Sequence, residues 1–125
     1  MKQTILVILA TTLIGCGDLA RAKKLAIEIK CRNNLKQIAN SIHGWAIDNN
    51  KDLGDKVSLE DLKSEYLPDN LTCQGEGKYG LTTVQDPPTC TAEGHSLKED
   101  FIKDYYSEDA LKIIRDNFLE AQAKK

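Results

Sequence analysis

Between Leu19 and about Asn49 the apolar positions Ile27, Cys31, Leu35, Ile38, Ile42 and Trp45 recur at intervals of four, four, three, four and three. The residues between them are mostly Lys, Arg, Asn, Gln and Glu, and no proline interrupts the run. This is the period of one long helix with a buried face and a wet face. At about 1.5 Å per residue, roughly thirty residues make a rod on the order of 45 Å long, more than a domain of this size covers. The N-terminal part is therefore expected to project as a stalk. Gly44 costs about 1 kcal/mol in a helix interior relative to alanine, which predicts a neighbouring segment in close approach or a weakened last turn. Asn49, Asn50 and Gly54 then end the helix.

Beyond that turn the pattern shortens. Ser58 followed by Asp61 predicts a capped helix through about Tyr66 that buries Leu59, Leu62 and Leu67 before Pro68 stops it. Leu71 to Cys73, Tyr79 to Val84 and Thr89 to Thr91 are strand-like and are separated by Gly75, Gly77, Pro87 and Pro88, which predicts two or three short antiparallel strands. From Leu97 to Ala123 helical spacing returns in two pieces. Phe101, Ile102 and Tyr105 mark the first, Leu111, Ile114, Phe118 and Leu119 the second, and Ser107 is the N-cap between them. The expected fold is α+β: a long N-terminal helix packed on a small antiparallel sheet, with a helical C-terminal extension.

The first residues carry a different pattern. Lys2 is followed by an apolar run from Ile5 to Ile14 broken only by Thr11 and Thr12, the layout of a signal peptide. Crossing the hydrocarbon core takes about 20 apolar residues, and this run stops at Gly15 with Asp18, Arg21, Lys23 and Lys24 close behind. Leu13, Ile14, Gly15 and Cys16 resemble the bacterial lipobox, in which the cysteine is diacylated and becomes the first residue of the mature protein. The resemblance implies a lipoprotein of the cell envelope, with Cys16 as the lipidation site and its acyl chains holding it to a bacterial membrane on the extracytoplasmic side. Gly17 and Asp18 do not decide between inner and outer membrane. The expected divisions are a leader at 1–15, a lipid-anchored stalk and α+β domain at 16–97, and an amphipathic helical tail at 98–125.

About 110 residues then remain, enough for one small domain. Lys and Arg total 17 against 19 for Asp and Glu, a net charge of −2, so the basic footprint of a nucleic-acid binder is missing. Apart from Cys16 the cysteines are Cys31, Cys73 and Cys90, and export would place them where disulfides persist. Cys73 and Cys90 flank the strand region and close a loop of eighteen residues, so a Cys73–Cys90 disulfide, worth roughly 3 kcal/mol by loop entropy, is the leading expectation. Cys31, on the apolar stripe, reads as a small buried hydrophobe. Against this stands a tetrahedral zinc site of three sulfurs and one nitrogen, from Cys73, Cys90 and His95 with Cys31 joining them. No pair of these shows the separation of two to four residues that ordinarily seeds a zinc knuckle. The disulfide expectation assigns no metal and no cofactor. With two histidines, no nucleophile elbow, no phosphate loop and carboxylates spread over helix faces, no catalytic residue is assigned and an enzyme is not expected.

Two runs carry a family resemblance. Cys31, Arg32, Asn33, Asn34, Leu35, Lys36, Gln37 and Ile38, followed by Trp45, Ala46, Asn49 and Lys51, resemble the first helix of bacterial type IV pilin-like and pseudopilin-like proteins. Cys73, Gly77 and Tyr79, then Pro88, Thr89, Cys90, Gly94, His95 and Leu97, resemble the C-terminal cysteine region of the same prepilin-type family, often Cys-Pro-x-Gly-Gly-x-Tyr and Pro-x-Cys-x-x-x-Gly-His. The resemblance covers about residues 25–97 and implies a long helix on a small sheet, an extracytoplasmic structural role and no catalytic residues. The prepilin cleavage site and the glutamate at the fifth position of its helix are absent, with the lipobox in their place. Gln74 replaces the proline and Glu76 the first of the two glycines. The expected function is thus a non-catalytic, lipid-anchored structural or interaction component of the envelope, its partners a membrane and a protein or pilin-like assembly, most plainly through the tail. The alternative is an exported metal-binding module using Cys73, Cys90 and His95.

Overall fold

The computed structural model describes residues 2–125, with side chains from Asp18 onward. Cys16 and the leader before it therefore lie outside the residues whose side chains are described. Helix α1 (Lys2–Asp48) is the spine of the molecule. Asp18 to Ala26 are exposed, and burial begins where the lobe meets the helix. From there Cys31, Leu35, Ile38, Ile42 and Trp45 are buried, joined by Ala39 and Ala46 on the same face. Among the described residues no helix is long and apolar enough to cross a membrane.

Helix α2 (Leu59–Leu62) starts on a full capping box: the Ser58 hydroxyl accepts from the Asp61 N–H, and the Asp61 carboxylate accepts from the Ser58 N–H. It is one turn long and stops short of the expected Tyr66. Ser64 takes a left-handed backbone (φ 72°) and its N–H bonds the Leu67 carbonyl, so the chain curls back and still buries Leu62 and Leu67. Strands β1 (Tyr79–Gly80) and β2 (Thr89–Cys90) form one antiparallel ladder, with Tyr79 opposite Cys90 and Gly80 opposite Thr89. The segment expected as a strand at 71–73 is not one. Leu53 to Val57 instead run beside Thr82 to Gln85 through three backbone hydrogen bonds, tucking Leu53, Val57 and Val84 into the core.

Two helices complete the chain. Helix α3 (Glu99–Tyr105) lays Phe101 on α1, with the Lys36 ammonium 5.4 Å from its ring centre. Helix α4 (Glu108–Ala123) begins at Ser107, whose hydroxyl accepts from the Ala110 N–H, and packs on α1 through buried Ile114. The core is continuous, from Trp45, Leu53 and Ile114 at one end to Cys31, Cys73 and Cys90 at the other. The architecture is the expected mixture: a long N-terminal helix, a small antiparallel ladder and a helical C-terminal extension.

Candidate metal centre

Cys31 lies on the buried face of α1, one turn before Leu35, where the helical period aims its thiol at the lobe. Cys73 arrives from the turn after Pro68. The N–H groups of Gly75 and Gly77 donate to its sulfur, and the Glu76 N–H bonds its carbonyl at 3.2 Å, so residues 73–77 curl around the thiol. Cys90 ends β2, opposite Tyr79. His95 follows Gly94, whose left-handed φ of 78° turns the chain inward.

Arg32, next to Cys31 on α1, fixes both flanks of that histidine. Its Nη2 donates to the Gly94 carbonyl at 2.8 Å and its Nε to the Ser96 carbonyl at 3.3 Å. Asn34 does the same for the other segment: Nδ2 donates to the Thr72 carbonyl at 3.3 Å and to the Tyr79 hydroxyl at 3.0 Å. That hydroxyl in turn donates to the Cys31 sulfur. Polar residues of the α1 face thus dock both loops on the helix.

The result is a compact set. The thiol sulfurs of Cys31, Cys73 and Cys90 and a ring nitrogen of His95 all lie within 4.8 Å of one another, and all four residues are buried. His95 Nδ1 is 3.2 Å from the Cys73 sulfur. Burial, helped by the neighbouring thiols, pushes Cys31 up to about 12. Burial acts the same way on Cys73, but hydrogen bonds from Cys31, Gly77, Gly75 and His95 outweigh it and hold that thiol at about 7. Two glycines admit this crowding. A Cβ on Gly77 would lie 2.5 Å from the Cys90 sulfur and 2.9 Å from the Ala92 nitrogen, and one on Gly75 would lie 2.6 Å from Cε1 of His95.

The expected disulfide is not formed: Cys31, Cys73 and Cys90 are free thiols. Cys73 and Cys90 do come together as their flanking positions predicted, but a third thiol and an imidazole converge on the same space and the sulfurs stand apart around it. Cys31, read from sequence as a core hydrophobe, is buried as expected yet belongs to the set. A thiol beside an imidazole is also how a cysteine nucleophile is built. Here the Cys73 sulfur faces two further thiols inside the protein, and the surface groove beside it is lined by Gly75, Ala92, Gly94 and His95. Closed four-ligand sets of this kind suit metal binding better than attack on a substrate. Comparison with protein-family models, with curated proteins and with solved structures finds no match for the chain.

Proposed function

We propose that this protein is a non-catalytic, membrane-tethered module of the bacterial envelope whose α+β lobe is clamped to its stalk helix by a structural zinc ion. The observation that carries the zinc assignment is the convergence of Cys31, Cys73, Cys90 and His95, from three separate parts of the chain, on one buried point. Zinc takes thiolates at about 2.3 Å and imidazole at about 2.0 Å, which gives tetrahedral edges of about 3.5–3.8 Å. The four ligand atoms lie within 4.8 Å of one another, with His95 Nδ1 3.2 Å from the Cys73 sulfur, so modest side-chain shifts bring them to that spacing, and three thiolates with one imidazole are a common structural set. Three thiolates around Zn²⁺ leave one negative charge. The N–H groups of Gly75 and Gly77 and the Tyr79 hydroxyl point at the sulfurs to offset it.

The tether belongs to the same proposal. It rests on the lipobox-like Leu13 to Cys16 and on the exposed, charged stretch from Asp18 to Ala26 that would hold the lobe off a membrane. The pilin-like arrangement, a long helix under a small antiparallel ladder, fits such a scaffolding role. Two experiments test the halves separately. Native mass spectrometry and elemental analysis of the full chain should find one zinc with three free thiols in the lobe; a mass lower by two hydrogens with no metal overturns the zinc site. Metabolic labelling with a fatty-acid analogue should mark the wild type and not Cys16→Ala; equal labelling overturns the anchor.

A further inference from the structure

The four ligands are unequal in how they are held. Cys73 precedes β1 by six residues and Cys90 ends β2, so both lie on the segment that carries the β1–β2 hairpin, whereas Cys31 sits within a continuous helix. The Gly77 N–H bonds the Cys73 sulfur, and Gly77 also lies against the Cys90 sulfur so closely that a Cβ there would come within 2.5 Å of it. Both sulfurs thus rest on the same residue. Cys73 and Cys90 each keep 8% of their surface exposed against 1% for Cys31. A groove of about 560 Å³ lined by Lys24, Glu28, Gly75, Ala92, Gly94 and His95 opens beside the residues that follow each of these two cysteines. A disulfide needs sulfurs about 2.05 Å apart with Cβ atoms about 4 Å apart. The hairpin can meet that requirement by bending at its own glycines. Cys31 touches both of the other thiols, but it is the most deeply buried of the three and is carried on a continuous helix, so an oxidant entering from the surface meets Cys73 and Cys90 first.

We propose that the site is oxidation-labile: a disulfide-bearing oxidant joins Cys73 to Cys90 and expels the zinc, releasing the hairpin from α1. The proposal rests on the zinc assignment above. One hairpin thiolate attacks the oxidant's disulfide, forming a mixed disulfide and releasing one thiolate of the oxidant. The other hairpin thiolate then attacks the cysteine sulfur of that mixed disulfide, closing Cys73–Cys90 and releasing the second. Two electrons pass from the two cysteines to the oxidant, whose disulfide is reduced to a dithiol once it takes up protons from water. Zinc leaves as Zn²⁺, unchanged in oxidation state, because Cys31 and His95 alone are two ligands where the ion needs four. The pairing expected from the sequence and the cluster in the fold then become two states of one hairpin.

The test uses the full chain, loaded with zinc under reducing conditions and then freed of reductant. Zinc content is measured first; failure to take up zinc sinks the zinc assignment and this proposal with it, before any oxidant is added. Oxidised glutathione is then added beside a chromogenic zinc chelator. The expected result is one zinc released for every two thiols lost, a peptide map joining Cys73 to Cys90 with Cys31 still free, and recovery of zinc binding on reduction. A loaded protein that keeps its zinc and three thiols while the chelator-stripped protein oxidises overturns the proposal and leaves the zinc site standing. So does a disulfide that contains Cys31.

Discussion

Single positions around the core differ in what a methyl group would do to them. Gly44 lies about one turn before the end of α1, with the Tyr66 ring 3.9 Å from where a Cβ would stand, an ordinary contact distance. Of the two readings the sequence allowed, a neighbour is present but leaves room. Gly44→Ala should therefore stabilise the protein by about 1 kcal/mol through helix propensity, measurable as a raised urea midpoint at unchanged slope. Gly77→Ala is the contrasting case, since its Cβ would overlap a ligand sulfur and a backbone nitrogen. That variant should lose bound zinc while Gly44→Ala retains it, and elemental analysis of the two side by side checks the difference. Glu76 holds a left-handed φ of 64°, a backbone region that favours glycine. Replacing it with glycine removes a backbone penalty of roughly 1–2 kcal/mol, less what glycine loses in chain entropy, so a net gain of about 0.5–1 kcal/mol is expected in the same denaturation assay.

At the level of elements, legibility followed how local the determining interaction is. The α1 stripe, the Ser58 capping box and the Ser107 cap are set by residues within a turn of each other, and they stand where the sequence pattern put them. Helix α2 ended early because Ser64 turns left-handed to meet Leu67, which no helix propensity reports. The strand expected at 71–73 became the approach to a ligand loop, because Asn34 takes its carbonyl at Thr72. The candidate metal set was half legible. Sequence offers Cys73, Cys90 and His95, joined by Cys31, only as the alternative to a disulfide, because no pair has a zinc-knuckle spacing; Cys31 lies some forty residues away, and a cysteine on an apolar stripe gives no local sign of facing a ligand set. The junction of α1 with α3 was hidden too. His43 stacks on Tyr105 with ring centres 4.6 Å apart and meets Tyr106 edge-on at 5.2 Å, and its Nε2 has no hydrogen-bond partner within the protein. Burial lowers its pKa from 6.5 to about 4. Since the unfolded chain takes up a proton below 6.5 and the folded one only near 4, the junction is fully stable above 6.5 and weakens as pH falls from 6.5 towards 4. Thermal midpoints between pH 4.5 and 7.5 should fall more steeply for the wild type than for His43→Phe, and acid loss of zinc, common to both, cancels in the difference. Parallel curves would show that His43 stays solvated in the folded state.

For the whole molecule the question is what the ion would hold together. One end of the core, around Leu35, Ile38, Ile42, Leu62, Val84 and Ile114, closes by apolar packing. The other end has little beyond buried Cys31, Cys73, Cys90 and Leu97 and partly buried Leu71, Tyr79 and Ala92, and there the loops depend on Arg32 and Asn34 for docking. A side-chain hydrogen bond contributes only about 1 kcal/mol net, too little to order a hairpin of some twenty residues at more than 1 kcal/mol of backbone entropy each. Zinc, which binds folded structural sites with on the order of 10 kcal/mol, is large enough to decide whether that end is ordered. Chelation of the full chain is therefore expected to act unevenly. Amide exchange should accelerate by at least about a hundredfold across residues 73–95, with much smaller change over 35–46 and at Ile114, where packing alone suffices. The global midpoint should fall by at least about 10 °C, as a loss of a few kcal/mol implies for a chain of this length. Uniform acceleration along the whole chain would mean that the two ends fold as one unit and that the ion stabilises both. Unchanged exchange at 73–95 would mean that the four ligands are held by the protein alone, and the clamp would have to be abandoned.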